Sequence, residues 1–342
     1  MAKKHINIPI FIPHLGCPNQ CVFCNQRSIS GVTSFSAESV IPIIEEALST
    51  APIGAEAEIA FFGGSFTGID RDLMIKLLQI ANGYIKQGRV SSIRCSTRPD
   101  YINSEILDIL SEYGVGTVEL GLQSYSDKVL VASKRGHTSK CEREACELIL
   151  SRGIRLGGQM MIGLPSATLE DELATARFIA EVGANEARIY PTVVLCDTEL
   201  CEMAKVGCYM PLALDSAVER SAAALEILID AGVKILRIGL CDSENLHSDK
   251  TYFGGPNHPA IGELVEGEYY YRIIRERLLN EKITSQCAIT IYAPVGQTSK
   301  IIGQSKKNKI RILREFGAAS LRVVEDVGVK PYSVLLIAEE RK

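Results

Sequence analysis

Three cysteines near the amino terminus have a spacing at which their side chains can bind one metal centre. Cys17, Cys21 and Cys24 form the pattern Cys-x3-Cys-x2-Cys, preceded by His14 and Gly16. One interpretation is a structural zinc site, with His14 or a remote cysteine as the fourth ligand. Zinc sites usually combine two separated ligand pairs, however, and no second pair is evident. Three thiolates bind a [4Fe-4S] cluster and leave one iron without a protein ligand, so the spacing favours an iron–sulfur site with an open position for chemistry.

The cysteines lie in a region where predicted strands and helices alternate. Such alternation indicates a parallel sheet with helical crossovers. We expect an α/β fold, a partial (β/α)6 barrel with six core units over residues 1–240. The loops after barrel strands carry active sites, and the cysteines, Gly63 and Arg98 each follow a predicted strand. The predicted strands are Ile6–Ile12, Glu58–Phe62, Ser92–Thr97, Thr117–Leu122, Arg155–Ile162, Glu186–Val194 and Lys234–Gly239.

Composition and charge limit the classes of protein to which the chain can belong. Of its 342 residues, 46% are hydrophobic and 23% are charged, values that exclude a disordered chain. We expect no membrane span, because no run approaches about 18 apolar residues, and the first 13 residues are too short and too proline-broken for a signal peptide. The eleven cysteines are odd in number and mostly scattered, which indicates a reducing, cytoplasmic location. With a net charge of −4, any site for a polyanion must be a local patch.

The cysteine pattern resembles the signature of a known enzyme superfamily. With Phe23 as the aromatic residue, Cys-x3-Cys-x-aromatic-Cys after a first strand is similar to the motif of radical S-adenosylmethionine (SAM) proteins. The resemblance implies that Cys17, Cys21 and Cys24 hold a [4Fe-4S] cluster and that SAM chelates the fourth iron. An electron would then cleave SAM to methionine and a 5′-deoxyadenosyl radical, which abstracts hydrogen from a substrate. The barrel would position and insulate this cofactor pair.

Further motifs between Ile8 and Gly239 resemble one family within that superfamily. They are similar in order and spacing to the radical SAM domain of the Elongator catalytic subunit, which modifies the wobble uridine of tRNA. The first two cysteines are closer together here than in that family. Only about 100 residues follow the barrel, so we expect no acetyltransferase domain. The motifs are Phe62–Thr67, Ser96–Tyr101, Val118–Ser124, Arg135–Thr138, Gln159–Pro165 and Arg188–Val194.

This resemblance suggests which residues would bind SAM. The glycine motif, Phe62–Thr67, resembles a motif whose backbone contacts the amino group of SAM. Arg98 could pair with the SAM carboxylate or form a plain salt bridge. Glu119 and Gln123 share one strand face, where they would meet SAM or form an internal pair with Arg98 or Arg188. The candidate SAM-binding residues are Gly63, Gly64, Ser65, Ser96, Arg98, Glu119, Gln123, Gln159 and Arg188.

No catalytic side chain is identified from the sequence alone. Tyr190 could stack on the adenosyl group or relay hydrogen, or it could be an ordinary amphipathic core residue. His137 could contact a substrate phosphate or transfer a proton, or it could lie on a solvated basic loop. His258, in a loop rich in glycine and proline, is a candidate for substrate contact.

Residues 241–342 form a predicted small α/β domain with a basic segment. Between Gln297 and Arg314 there are six basic residues and no acidic ones. The segment Gly303–Lys306 resembles the Gly-x-x-Gly loop of RNA-binding KH modules, with Lys306 in place of the second glycine. A solvated helix face on a small appendage is the alternative. The candidate RNA-binding residues are Lys300, Gly303, Lys306, Lys307, Lys309 and Arg311.

The sequence therefore predicts a radical SAM enzyme that modifies RNA, with tRNA as the expected substrate and flavodoxin or ferredoxin as the electron donor. Two alternatives remain. One is a small-molecule enzyme resembling oxygen-independent coproporphyrinogen oxidase, and the other is a non-catalytic RNA-binding protein with a structural metal site. The remaining cysteines are expected to be buried small hydrophobic residues; they are Cys95, Cys141, Cys146, Cys196, Cys201, Cys208, Cys241 and Cys287.

Overall fold

Parallel strands form a curled, open sheet that makes up the larger part of the molecule. The computed structural model describes residues 5–12, 17, 21–25, 35–240, 248, 250–281 and 286–340. In these residues seven parallel strands form one sheet in chain order, each hydrogen-bonded to the next. The strands are β1 (His5–Ile12), β2 (Glu56–Gly63), β3 (Ser92–Thr97), β4 (Val115–Gln123), β5 (Arg155–Ile162), β6 (Glu186–Pro191) and β8 (Lys234–Ile238).

Helical crossovers connect these strands, as the alternating sequence pattern predicts. Among the described strands, β1 and β8 are the sheet edges and do not pair with each other, so the barrel is open. The predicted partial barrel is thus confirmed, with six crossovers joining its seven strands. The helices of this part are α1 (Val40–Thr50), α2 (Arg71–Lys86), α3 (Ser104–Glu112), α4 (Asp127–Ala132), α5 (Ser139–Ser151), α6 (Leu169–Glu181), α7 (Glu199–Lys205) and α8 (Leu214–Asp230).

Capping side chains define where several helices begin. Asp70 accepts a hydrogen bond from the Leu73 backbone N–H at the start of α2, and Asn103 does the same for Ile106 at the start of α3. Such caps satisfy backbone donors that the first turn leaves without partners. They fix the points at which the chain leaves the loops after β2 and β3.

The two faces of the sheet differ in chemistry. The outward side chains pack against the helices in a hydrophobic core that includes Ile59, Phe61 and Leu120. Residues two apart in a strand share a face, and the opposite face of the central strands carries charged side chains, including Arg94 and Glu119, which are almost completely buried. The interior of the half-barrel is therefore polar, and its ion pairs hold neighbouring strands together.

A second, three-stranded sheet follows the barrel. Its central strand β10 (Cys287–Ala293) pairs in parallel with β11 (Ser320–Glu325) and antiparallel with β12 (Leu335–Glu340). Its helices are α9 (Ile261–Asn280), α10 (Thr298–Ile302) and α11 (Lys307–Phe316). Residues of α8, α9 and β10 belong to one hydrophobic cluster, so the barrel and this smaller sheet share a continuous core.

A short antiparallel pair of strands lies beyond the parallel sheet. Strand β7 (Val194–Leu195) pairs with β9 (Tyr252–Gly254), just beyond the carboxyl end of β6. Among the described residues, no helix combines the length and apolar character required to cross a bilayer.

The expectation for the scattered cysteines is only partly correct. Four of these cysteines are buried, but Cys208 is exposed because it follows the short helix α7 in a surface turn. Cys141 and Cys196 are half-buried, and Cys241 lies outside the described residues. The four buried ones are Cys95, Cys146, Cys201 and Cys287.

Candidate active site

The loop that carries Cys21 and Cys24, called the cysteine loop, is held at the carboxyl ends of the barrel strands by backbone hydrogen bonds. The Val22 N–H donates to the Ser133 carbonyl at 3.3 Å, and the Leu200 N–H donates to the Val22 carbonyl at 2.7 Å. The Val22 side chain is buried against Val194 and Leu200. Cys21 and its neighbours are therefore held where the loops after several strands meet.

Two arginines surround the sulfur of Cys21. The Nη1 atom of Arg135 is 3.2 Å from Cys21 Sγ. The Nη1 atom of Arg98 is 3.8 Å from the same sulfur and 4.0 Å from Cys17 Sγ. Both guanidinium groups belong to buried residues, so solvent screens their charges little. The sulfur atoms thus lie in positively charged surroundings, which suit a centre with several anionic ligands.

Arg98 is oriented by the carboxylate of Asp100, two residues later in the sequence. Its Nε and Nη2 atoms each lie 2.9 Å from an oxygen of Asp100, a bidentate pair. Burial raises the pKa of the Asp100 carboxyl, but hydrogen bonds from His137 and Arg98 outweigh it and hold that pKa well below its usual range. Burial lowers the pKa of Arg98, but Asp100 and the nearby sulfurs raise it by more. The net effect is a raised pKa, so the guanidinium stays charged.

The guanidinium of Arg98, which is predicted to pair with the SAM carboxylate, already has acceptors within the chain. Its Nη2 also donates to the Arg135 carbonyl, so every nitrogen of the guanidinium has an acceptor among the described residues. The structure thus contains the salt bridge that was the alternative for Arg98. Contact of Arg98 with a SAM carboxylate stays a prediction, and it requires Asp100 to share or release its partner.

His137 lies in the interior behind these arginines. Its side chain is 1% exposed, with Nδ1 3.4 Å from Arg98 Nη2 and Nε2 3.0 Å from Glu142 Oε1. The interpretation of a solvated basic loop is therefore wrong for this residue. Burial raises the pKa of Glu142 to about 7, although His137 and Arg135 lower it. His137 is placed to brace Arg98, while its contact with substrate stays a prediction.

Hydroxyl groups connect the glycine motif to the loop of Arg98. Ser65 Oγ accepts from the Arg98 backbone N–H at 3.0 Å and lies 3.0 Å from Thr97 Oγ1. Gly63 has φ +113°, and a Cβ there would lie 2.2 Å from the Ile12 carbonyl oxygen. The close approach of the end of β1 therefore requires a glycine at position 63. Contact of Gly63, Gly64 and Ser65 with SAM stays a prediction.

Glu119 lies at the centre of an ion network inside the barrel. Its oxygens accept from Arg94 Nη1 at 2.7 Å and from Arg188 Nε at 2.6 Å. Arg94 also pairs with Glu58 at 2.7 Å and with Glu186 at 2.9 Å. The internal pair with Arg188, which was the alternative for Glu119, is thus present. Sequence reasoning missed Arg94, although its place two residues before Ser96 on the same strand face was a usable signal.

The remaining predicted SAM-binding residues lie on the same inner face, nearer the carboxyl ends of the strands. Gln159 Nε2 donates to Gln123 Oε1 at 3.3 Å. Ser96 and Tyr190 are half-buried, and the guanidinium of Arg188 lies 5.4 Å from the centre of the Phe62 ring. The structure therefore gathers these predicted residues on one polar inner face of the sheet.

In the basic segment, part of the charge is neutralised by acidic residues. Lys300 pairs with Glu266 at 2.6 Å, Lys307 pairs with Asp215 at 2.8 Å, and Arg311 pairs with Glu268. These partners come from α8 and α9, far away in sequence, so the local charge count could not reveal them. Neither Lys306, which is exposed, nor Lys309, which is half-buried, forms an ion pair within the described part of the chain.

The loop between α10 and α11 has an unusual backbone conformation. Gly303, Ser305 and Lys306 have φ values of +77°, +53° and +62°, so the loop turns sharply between the two helices. It borders a cavity of about 390 Å³ that includes His258 and Asp215. Here the Nδ1 atom of His258 accepts from the Ala260 backbone N–H at 3.1 Å, and its contact with substrate stays a prediction.

The cysteines fit an iron–sulfur centre in their chemistry. Cys17 and Cys21 lie around one nitrogen of Arg98, and the Cys24 N–H donates to the Cys21 carbonyl at 3.0 Å, so a tight turn of the backbone separates these two cysteines. Within the described ranges, no three Cys, His, Asp or Glu side chains already stand in metal-binding geometry. His14 and Gly16 lie outside those ranges. Three soft sulfur donors, two of them beside buried arginines, suit a [4Fe-4S] cluster.

Comparison with protein families and with known proteins gives consistent matches. Residues 11–179 match the Radical SAM superfamily, and residues 184–271 match the Radical_SAM C-terminal domain. A putative methylthiotransferase of Methanocaldococcus jannaschii is 29% identical over 196 residues, which is 56% of this chain and 43% of that protein. The tRNA uridine(34) acetyltransferase of the same organism is 30% identical over 182 residues, 47% of this chain and 34% of that protein.

A solved structure gives the same picture of the fold. Archaeal Elp3 from Methanocaldococcus infernus, without its first 46 residues, superposes with a TM-score of 0.62 at 20% identity. The match covers 81% of this chain and 64% of that one. The chain thus spans less than half the length of the two sequence relatives above, so their complete activities do not transfer directly.

Proposed function

Because this chain belongs to the radical SAM superfamily, we propose that it is an enzyme that modifies RNA, with tRNA as its substrate. The superfamily is defined by its use of a [4Fe-4S] cluster and SAM. The observation that carries the proposal is the group of Cys17, Cys21 and two buried arginines at the carboxyl end of the sheet. In a (β/α) barrel this is the end at which chemistry takes place.

The chain's own residues would prepare the site for this chemistry. Cys17, Cys21 and Cys24 would hold the cluster, which when bound together with SAM supplies a 5′-deoxyadenosyl radical that abstracts hydrogen from the substrate. Arg98 and Arg135 keep positive charge beside the sulfurs. On the inner face of the half-barrel, Gln123, Gln159 and other residues offer hydrogen bonds to a polar ligand.

Two observations support RNA as the substrate. One is the relative named as a tRNA uridine(34) acetyltransferase. The other is the position of the loop Gly303–Lys306. Lys307 pairs with Asp215 in the first turn of α8, and a helix that follows a barrel strand begins at the carboxyl edge of the sheet. The loop therefore lies toward the edge that carries the cysteines, with Lys306 and Lys309 available to meet phosphates.

The test is whether RNA stimulates SAM cleavage. Anaerobically reconstituted protein is mixed with SAM and dithionite, and the formation of 5′-deoxyadenosine is measured with total tRNA, with the same tRNA digested by nuclease, and with coproporphyrinogen. We expect intact tRNA to accelerate the reaction at least tenfold and the digested tRNA to have no effect. Stimulation by coproporphyrinogen alone would favour a small-molecule enzyme. Tight tRNA binding without any cleavage would favour a non-catalytic binding protein.

A further inference from the structure

We propose that Arg135, assisted by Arg98, sets the reduction potential of the cluster by donating hydrogen bonds to the sulfur of Cys21. The inference rests on the proposed function only in that it needs a cluster on these cysteines. Arg135 would orient the Cys21 sulfur and, through its positive charge, stabilise the cluster after the cluster has accepted an electron. Neither the sequence motifs nor the comparisons give this residue such a role.

The contact of Arg135 is direct, and several bonds hold it in place. Its Nη1 lies 3.2 Å from Cys21 Sγ, while its Nη2 donates to the Gly121 carbonyl on β4. Its backbone N–H donates to the Leu130 carbonyl at 2.9 Å. Ser133, two residues earlier, accepts from the Val22 N–H, so one short segment fixes both the cysteine loop and the arginine that faces it.

Arg98 is a second cation on the same sulfur, and it is braced from behind. Its Nε and Nη2 donate hydrogen bonds to Asp100, and its Nη2 lies 3.4 Å from His137 Nδ1. The other ring nitrogen of His137 is hydrogen-bonded to Glu142. Arg98 is farther from Cys21 Sγ than Arg135 is, 3.8 Å against 3.2 Å. The closer donor, Arg135, should therefore have the larger effect.

The direction of the effect follows from charge. Reduction adds one electron to the cluster, so a positive group beside a ligating sulfur stabilises the reduced form more than the oxidised form. Hydrogen bonds to cluster sulfurs and the net charge around them are established determinants of such potentials. Removal of the Arg135 charge should thus make the cluster harder to reduce.

The experiment is a dithionite titration of the reconstituted cluster, followed by electron paramagnetic resonance without SAM. Wild type is compared with Arg135→Met, with the charge-preserving Arg135→Lys, and with Arg177→Met, which removes an exposed arginine paired with Glu170. We expect Arg135→Met to lower the equilibrium constant for reduction at least tenfold, about 59 mV for one electron. Arg135→Lys should recover most of this loss, and Arg177→Met should match wild type.

Equal potentials in wild type and Arg135→Met, at equal iron content, would overturn the inference and leave the proposed function intact. Failure of the wild type to assemble any cluster would instead contradict the proposed function itself. If Arg135→Met fails to bind iron, Arg135→Gln and Arg135→Lys are compared, since both keep a donor and differ in charge. A lower potential in Arg135→Gln then supports the inference, and equal potentials overturn it.

Discussion

At the scale of single residues, the site is a chain of mostly buried polar and charged side chains in which each orients the next. Glu142 holds His137, His137 and Asp100 hold Arg98, and Arg98 faces the sulfurs. Removing one member of such a buried network leaves its partner without compensation, which costs more than the bond itself. Glu142 is the member whose protonation changes near neutral pH, because burial raises the pKa of its carboxyl to about 7.

This raised pKa predicts a pH-dependent stability. In the folded chain Glu142 keeps its proton up to about pH 7, whereas in the unfolded chain it ionises near 4.5. The stabilisation is thus complete below about pH 4.5 and is lost as pH rises through 7. Anaerobic urea unfolding of wild type and Glu142→Gln should show the variant gaining on wild type between pH 5 and pH 8, by on the order of 2 kcal/mol.

The matched control for Glu142→Gln is Glu144→Gln on the same helix, whose side chain is 66% exposed. This control should change little with pH. A constant difference between wild type and Glu142→Gln across the pH range would contradict the assignment of a protonated, buried Glu142.

At the scale of elements, the inner face of the sheet is held together by ion pairs between strands. Arg94 on β3 connects Glu58 on β2, Glu119 on β4 and Glu186 on β6. The alternation of strands and helices predicted these strands, and it placed Glu119 on the inner face. It could not predict that Arg94 would face Glu186, because that contact depends on the curl of the sheet across several strands.

Replacement of the central cation of this network should destabilise the barrel strongly. Arg94→Met would leave Glu58, Glu119 and Glu186 with too little positive charge in a buried setting. We expect a loss of about 3–5 kcal/mol in the free energy of unfolding. Urea unfolding monitored by circular dichroism measures it, with Arg177→Met as the exposed control expected to change by less than about 0.5 kcal/mol. A loss as small as that of the control would show that the network contributes little.

The junction of β1 and β2 gives a second prediction at this scale. A Cβ at position 63 would overlap the Ile12 carbonyl oxygen, and the φ of +113° already disfavours any side chain. Gly63→Ala should therefore cost about 3 kcal/mol of stability. Gly153→Ala is the control, because its φ is also positive, at +71°, with open space around it, and it should cost about 1 kcal/mol. Equal losses in thermal unfolding would show that the contact with Ile12 relaxes.

At the scale of the whole molecule, one hydrophobic core joins the barrel to the smaller sheet, and α9 packs into both. The sequence pattern predicted the parallel sheet of the barrel and, after it, a small α/β domain that carries the basic loop Gly303–Lys306. It did not reveal that Lys300, Lys307 and Arg311 are paired, since their partners lie in other helices. Of the six predicted RNA-binding positions, Lys306 and Lys309 are therefore the basic residues that form no ion pair with the described part of the chain, and we expect them to meet phosphate.

The salt dependence of tRNA binding tests this distinction. Each lysine that contacts a phosphate contributes about one unit to the slope of log K against log salt. The double variant Lys306→Glu, Lys309→Glu should weaken tRNA binding and reduce this slope by about 2. The control is Lys86→Glu, Lys330→Glu, which changes the net charge of the chain by the same amount at other sites. Identical slopes for the two double variants would show that net charge alone governs binding.

The central claim is that Cys17, Cys21 and Cys24 hold a cluster that supports SAM cleavage, and one measurement tests it most directly. Wild type and Cys21→Ala are reconstituted anaerobically with iron and sulfide, reduced with dithionite, and assayed for 5′-deoxyadenosine from SAM. We predict about four irons per chain and SAM cleavage in the wild type, with both lost in Cys21→Ala. About one zinc per chain, with no cluster and no cleavage in the wild type, would contradict the account.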